Sequence, residues 1–126
     1  MYNITAHVTT VQLPQNLLNI NVGVGDINSD GHQDVIYTGF VFPHAFVEIS
    51  PTVLLNNAAG GFNYAPGFLP TTAVTTRELI VEDFNNDGAN DYFFANHGYD
   101  VNPFPGEADD LALFNPLSGG FDATDW

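Results

Sequence analysis

Two nine-residue stretches place oxygen-bearing side chains at the same alternating positions. Asp26-Ile27-Asn28-Ser29-Asp30-Gly31-His32-Gln33-Asp34 and Asp83-Phe84-Asn85-Asn86-Asp87-Gly88-Ala89-Asn90-Asp91 both read D-x-N-x-D-G-x-x-D, 57 residues apart. A hard cation such as Ca²⁺ takes about 6–8 oxygens at roughly 2.3–2.6 Å, gathered by a tightly curled backbone. Alternate residues at the start of such a loop can point inward, and the glycine at its sixth position permits a left-handed turn that a side chain would obstruct. The seventh position then offers a backbone carbonyl, which fits the exchange of His for Ala there. The expected ligands are Asp26, Asn28, Asp30, Asp34 and the carbonyl of His32, with Asp83, Asn85, Asp87, Asp91 and the carbonyl of Ala89 in the second copy. That makes about two Ca²⁺ ions, one per loop. The competing reading is a pair of solvated acidic turns, which duplication of all four ligand positions disfavours. An EF-hand is a poor fit, because its twelfth position carries a bidentate Glu between helices and Tyr37 and Phe94 stand there.

Strands must position these loops. Leu18, Ile20, Val22 and Val24 form a period-two row running straight into the first loop, and Leu79 and Val81 repeat its end before the second. Val35 to Phe40 is β-branched and aromatic, as Tyr92 to Ala95 is aromatic-rich after the second loop. Thr52-Val53-Leu54-Leu55 predicts a third strand, Asn56 to Gly61 a turn, and Phe62-Asn63-Tyr64 a fourth. Leu111-Ala112-Leu113-Phe114 and Ser118-Gly119-Gly120-Phe121 predict the corresponding third strand and turn. No segment keeps a helical period, so the chain reads as all-β. Four short strands in a unit of 57 residues suit a propeller blade better than a solenoid or sandwich. The predicted layout is one all-β domain with a leading strand in residues 1–16, a first repeat at 17–76 and an incomplete second at 77–126. Tyr2 stands before the first loop much as Phe62 stands before the second, so the leading strand reads as the fourth of a preceding or neighbouring blade.

Composition excludes several partners. At 126 residues the chain has enough length for a core, and its apolar content of 44%, with 11 Phe and 5 Tyr, argues for a folded domain. Fifteen acids against the single Arg77 give a net charge of −14, which disfavours nucleic acid and anionic membrane surfaces as partners without bridging cations. Six of those acids lie in the two loops, so their repulsion weakens a metal-free state. Cysteine is absent, which removes disulfide and thiol chemistry. No apolar run approaches the ~20 residues of a membrane helix, and Met1-Tyr2-Asn3 opens no signal peptide. An exported form would have lost its signal or carry it elsewhere.

The two loops with their flanks, Val22 to Ile36 and Val81 to Phe93, resemble the FG-GAP or VCBS repeats of integrin-α-like β-propellers. Leu54-Leu55-Asn56-Asn57 followed by Gly60-Gly61-Phe62 resembles the family's strand-and-turn signature, echoed by Leu113-Phe114-Asn115 and Gly119-Gly120-Phe121. The resemblance covers nearly the whole chain and is weakest over the first sixteen residues. It implies two four-stranded antiparallel blades, calcium in the loop joining the first two strands of each, and adhesion or ligand binding outside a cell or at its surface. The literal Gly-Ala-Pro triplet is missing, with Tyr64-Ala65-Pro66 its nearest counterpart. Family propellers close with about seven blades, and two cannot make a ring. The implied context is a larger propeller or an assembly completed by strand exchange.

Other chemistry is thin. His7, His32, His44 and His97 share no metal-binding spacing, and Ser29, Ser50 and Ser118 lack a nucleophile-elbow context. Asp109 and Asp110 with Glu107 could form an acid pair for hydrolysis, but a solvated loop accounts for them more simply. Asn3-Ile4-Thr5 is a glycosylation sequon, which makes Asn3 a candidate acceptor. An enzyme is not expected. The expected function is an extracellular calcium-binding repeat module for adhesion or structural assembly, with calcium as a structural ion and a protein or glycan as possible ligand. Its partners would be copies of itself in a homo-oligomer or further repeats of a longer chain. One alternative is a subunit that self-assembles into a ring or filament by donor-strand completion. A more distant one is a non-catalytic blade of a propeller enzyme or lectin.

Overall fold

Alternating, β-branched and aromatic segments separated by Asn/Gly turns fold as antiparallel sheet, and no helix occurs among the described residues. The computed structural model describes residues 10, 17–41, 50–70, 75–98 and 102–122. The first sheet runs in sequence order through β1 (Leu17–Gly25), β2 (Asp34–Val41), β3 (Thr52–Asn56) and β4 (Phe62–Tyr64). Its ladder pairs Val24 with Val35 and Gly25 with Asp34, so the first acidic loop is the connection that closes the β1–β2 hairpin. In the second repeat β5 (Thr76–Glu82), β6 (Asp91–Asn96) and β7 (Asp110–Ala112) form a three-stranded sheet. Glu82 pairs with Asp91, and the second loop closes that hairpin in the same way.

The second repeat departs from expectation in one respect. The segment 111–114 is not one strand: β7 ends at Ala112, and β8 (Phe114–Asn115) pairs with β9 (Gly120–Phe121) as a separate two-stranded ribbon. In the first repeat Leu54 pairs with β2 and β4 at once and ties four strands together. Its counterpart Ala112 pairs with β6 alone, and the break falls at Leu113. The path is nevertheless kept, since the Leu113 carbonyl accepts the Asp122 N–H at 3.0 Å. The expected leading strand lies outside the described residues apart from Thr10, which is exposed and in no strand. Asn3, His7, His44 and the tail 123–126 lie outside them as well.

The two repeats share one core. Ile27, Ile36 and Val53 of the first cluster with Tyr92, Phe94, Ala112 and Phe114 of the second. Phe121 lies edge-on to Phe114 at 5.5 Å and to Tyr92 at 6.0 Å, and Phe68 meets Phe121 at 5.8 Å. Such pairs each add about 0.5–1.5 kcal/mol beyond their buried area. Close approach of the sheets depends on two glycines in β1. A Cβ at Gly23 would meet Val81 Cγ2 at 2.6 Å and Leu79 Cδ2 at 3.0 Å, and one at Gly25 would meet Val81 Cγ1 at 2.9 Å. Leu79 and Val81 of β5 therefore occupy the space that side chains at 23 and 25 would need.

Candidate metal centre

Both loops curl by the same set of hydrogen bonds. Asp26 accepts the N–H of Asp30 at 3.0 Å and of Gly31 at 2.8 Å. Asp83 accepts those of Asp87 at 3.0 Å and Gly88 at 2.9 Å. Asn28 and Asn85 each accept the fifth residue's N–H through Oδ1 and donate Nδ2 to its carboxylate at 2.9 Å. Asp30 and Asp87 in turn accept the N–H of the seventh residue, at 2.9 and 2.8 Å. The backbone is left-handed at two positions of each loop. Gly31 (φ 87°) and Gly88 (φ 90°) fill the sixth, as the spacing predicts, while Ser29 (φ 59°) and Asn86 (φ 60°) hold the fourth. Asn is among the few non-glycine residues that adopt this region readily.

The ninth aspartate of each loop does something its spacing did not disclose. Asp34 and Asp91 are fully buried. Asp34 accepts the Ile27 N–H at 2.8 Å and, across to β3, the Asn56 N–H at 2.7 Å. Asp91 accepts the N–H groups of Phe84 at 2.9 Å and Asn85 at 3.3 Å, and that of Phe114 in β8 at 2.8 Å. Each carboxylate pins the start of its loop to a later strand of its repeat, β3 in the first and β8 in the second. A carboxylate oxygen has two lone pairs, so this fastening leaves acceptor capacity for a ligand.

Among the described residues no group of three or more His, Asp or Glu side chains is gathered so as to hold a metal ion. Carboxylates in both loops are turned onto their own backbone N–H groups. The donor chemistry still fits a hard cation: each loop offers three carboxylates and an amide oxygen, all oxygens, on a curled backbone. Asp26, Asn28 and Asp30, with Asp34 behind them, are the residues that would hold Ca²⁺ in the first loop. Asp83, Asn85, Asp87 and Asp91 correspond in the second, and the His32 and Ala89 carbonyls complete each set. The ion would supply charge neutralisation. Asp30 is exposed, and its carboxyl is held below the usual range by the Asn28 side-chain hydrogen bond and then the His32 N–H. Compared with protein-family models, curated proteins and solved structures, the chain matches none.

The loops are joined to one another across the repeats. Asn90, in the second loop, donates Nδ2 to the Asp26 carbonyl at 3.2 Å, and the buried Tyr92 hydroxyl donates to the Ile27 carbonyl at 3.2 Å. Asn21 Nδ2 donates to the Arg77 carbonyl at the other end of the same interface. Sequence reasoning missed these residues, because contacts spanning 64 and 65 positions leave no local pattern. Burial raises the Tyr92 phenol above its ordinary pKa, and the charges of Asp34, Asp26 and Asp91 raise it further. A group whose pKa is raised on folding stabilises the fold fully below its unfolded value, and that contribution is lost as pH climbs toward the folded one. Unfolding free energy is therefore expected to fall as pH rises above about 10, the ordinary tyrosine value. Tyr92→Phe should lose about 1 kcal/mol at neutral pH and flatten the alkaline decline, as read from urea midpoints across that range.

The remaining candidates have other tasks. Asp110 is not in a solvated loop, because it is buried in β7 and accepts Asn96 Nδ2 at 2.6 Å. Asp109 accepts the Asn96 N–H at 2.9 Å, so the two acids together hold the end of β6. Ser118 Oγ donates to the Asn115 carbonyl within its turn. His32 and His97 are exposed.

Proposed function

We propose that the chain is an extracellular or cell-surface calcium-binding repeat module serving adhesion or structural assembly, with one structural Ca²⁺ in each loop. Its sheets are read as propeller-type blades belonging to a larger propeller or assembly, and its role as binding and architectural rather than catalytic. One observation carries this reading: two loops 57 residues apart make the same six hydrogen bonds among the same donor positions. Turns that merely reverse the chain have no need of three carboxylates each. Those acids repel one another, and a cation that binds only the curled loop adds its binding free energy to the fold, about 2.7 kcal/mol at a hundredfold excess over Kd.

Chelation is expected to lower the melting temperature by several degrees and to expose both loops to protease. Added calcium should restore both properties, and magnesium should do so poorly, since it demands a smaller, near-octahedral shell. A melting temperature indifferent to chelator and to calcium would leave the loops as ordinary turns and defeat the proposal.

A further inference from the structure

Each loop contains an Asp-Gly dipeptide, Asp30-Gly31 and Asp87-Gly88, and the chain has no other. Glycine leaves the nitrogen of that peptide uncrowded, and nothing lies within 4 Å of a Cβ built at either glycine. The aspartate side chain is folded forward over this peptide. Asp30 Oδ1 accepts the His32 N–H at 2.9 Å, and Asp87 Oδ1 accepts that of Ala89 at 2.8 Å. A carboxyl carbon brought over the next residue's amide nitrogen is the arrangement from which a five-membered imide closes. The first aspartate of each loop holds that nitrogen back, since the Gly31 N–H donates to Asp26 at 2.8 Å and the Gly88 N–H to Asp83 at 2.9 Å. In these respects the loops are alike, but the residues after the dipeptide differ. Ala89 is 4% exposed and belongs to the shared core, and Asn90 reaches across to the Asp26 carbonyl. Their counterparts His32 and Gln33 are exposed, with Gln33 held through its carbonyl by the Asn56 side chain in a bond open to water. Lifting Gly88 out of its curl therefore disturbs the core, while lifting Gly31 breaks hydrogen bonds that water replaces.

We propose that Asp30-Gly31 is a site of spontaneous isoaspartate formation, and that the buried Ala89 protects its sequence twin Asp87-Gly88. When the first loop opens, the Gly31 nitrogen gives its proton to solvent and bonds to Asp30 Cγ. The carboxyl hydroxyl takes up a proton and leaves as water, which closes the imide. Water then adds to the imide carbonyl next to Cα and breaks that carbon's bond to nitrogen, so the main chain runs on through Cβ and Cγ. The product has the mass of the parent, an extra main-chain atom, and its free carboxylate on Cα. The hydrogen bonds of Asp30 to Asn28 and His32 cannot be kept in that register, so the first loop loses its curl while the second retains it. This chemistry uses only the chain and water, so it stands or falls separately from the calcium reading.

Incubation of the folded chain in chelator, warm and near neutral pH, tests this. Arg77 is the single Lys or Arg, so trypsin places each dipeptide in its own fragment, 1–77 or 78–126. Isoaspartate is read in each fragment as chromatographic splitting without a change of mass, which excludes asparagine deamidation, and by methylation with an isoaspartyl carboxyl methyltransferase. It is expected to accumulate about tenfold faster in the first fragment than in the second, as the easier local opening dictates, and at equal rates when the chain is unfolded in urea. Asp26→Ala, which frees the Gly31 N–H, should raise the first rate severalfold and leave the second unchanged. Ala89→Gly should raise the second rate and leave the first. Equal rates in the folded parent, or faster reaction at Asp87, would overturn the proposal. A difference that persists in urea would belong to the local sequence rather than to the fold and would equally refute it, as would a folded Asp26→Ala chain that reacts at the parent rate. If Ala89→Gly loses its sheet signal, the ratio of the two rates in the folded parent decides.

Discussion

Replacing Asp91 with alanine is expected to destabilise the fold by about 4 kcal/mol, even with calcium absent. Its carboxylate serves three N–H groups, those of Phe84, Asn85 and Phe114. Phe114 is 1% exposed, so its N–H has no water to turn to once the carboxylate is gone. An unpaired buried donor costs roughly 1–3 kcal/mol, and hydrogen bonds to a charged group lie in the upper part of that range. Asp91→Asn keeps one acceptor oxygen but sets an amide N–H₂ against the remaining donors, so it should recover less than half of the loss. Domains are stable by only about 5–15 kcal/mol, so the alanine variant should be largely unfolded in modest urea. Urea midpoints in chelator measure the effect without any contribution from the ion. A loss below about 0.5 kcal/mol, the level of an ordinary surface change, would show that Asp91 is not the fastener described.

Gly23→Val should be about as damaging, by some 3 kcal/mol, at the upper end of what overpacking produces. The first added atom already falls 2.6 Å from Val81 Cγ2 and 3.0 Å from Ile36 Cγ2, and valine brings two more. Val81 lies on a strand whose neighbour Tyr92 is fully buried, so neither sheet can yield without opening the shared core. Gly106 provides the control. Nothing lies within 4 Å of a Cβ built there, and Gly106→Ala should leave stability unchanged or slightly raised through the unfolded chain. Thermal melts of the three proteins test this directly. Equal melting temperatures for Gly23→Val and the parent would mean that the sheets are not in the close contact described.

Period-two rows of apolar residues made most strands and both hairpins legible in the sequence, because alternation and turn chemistry are local properties. The glycine at the sixth loop position was legible for the same reason, while the left-handed Ser29 was not, since serine carries no such preference. Gly23 and Gly25 held a signal that went unused: glycine inside a strand marks close approach of another backbone or side chain. Asp34 and Asp91 looked like ligands equal to the other acids. Only the fold shows them buried and bonded to β3 and β8, a property of tertiary distance rather than spacing. The same distance hid Asn90 and Tyr92, and it made Asp110 look solvated when β7 buries it. The break at Leu113 reflects a missing cross-strand partner, which the hydrophobic pattern of 111–114 does not encode.

Calcium uptake by the loops is the central claim, and calorimetric titration of the chelator-stripped chain tests it most directly. Two ions per chain are expected, with Kd on the order of 10⁻⁴–10⁻³ M or tighter, since each loop has several carboxylates but no bidentate Glu. Asp30→Ala should remove one site and leave the other intact, because Asp30 contributes to the first loop alone. A titration to millimolar calcium that shows no uptake by the folded parent chain would contradict the account.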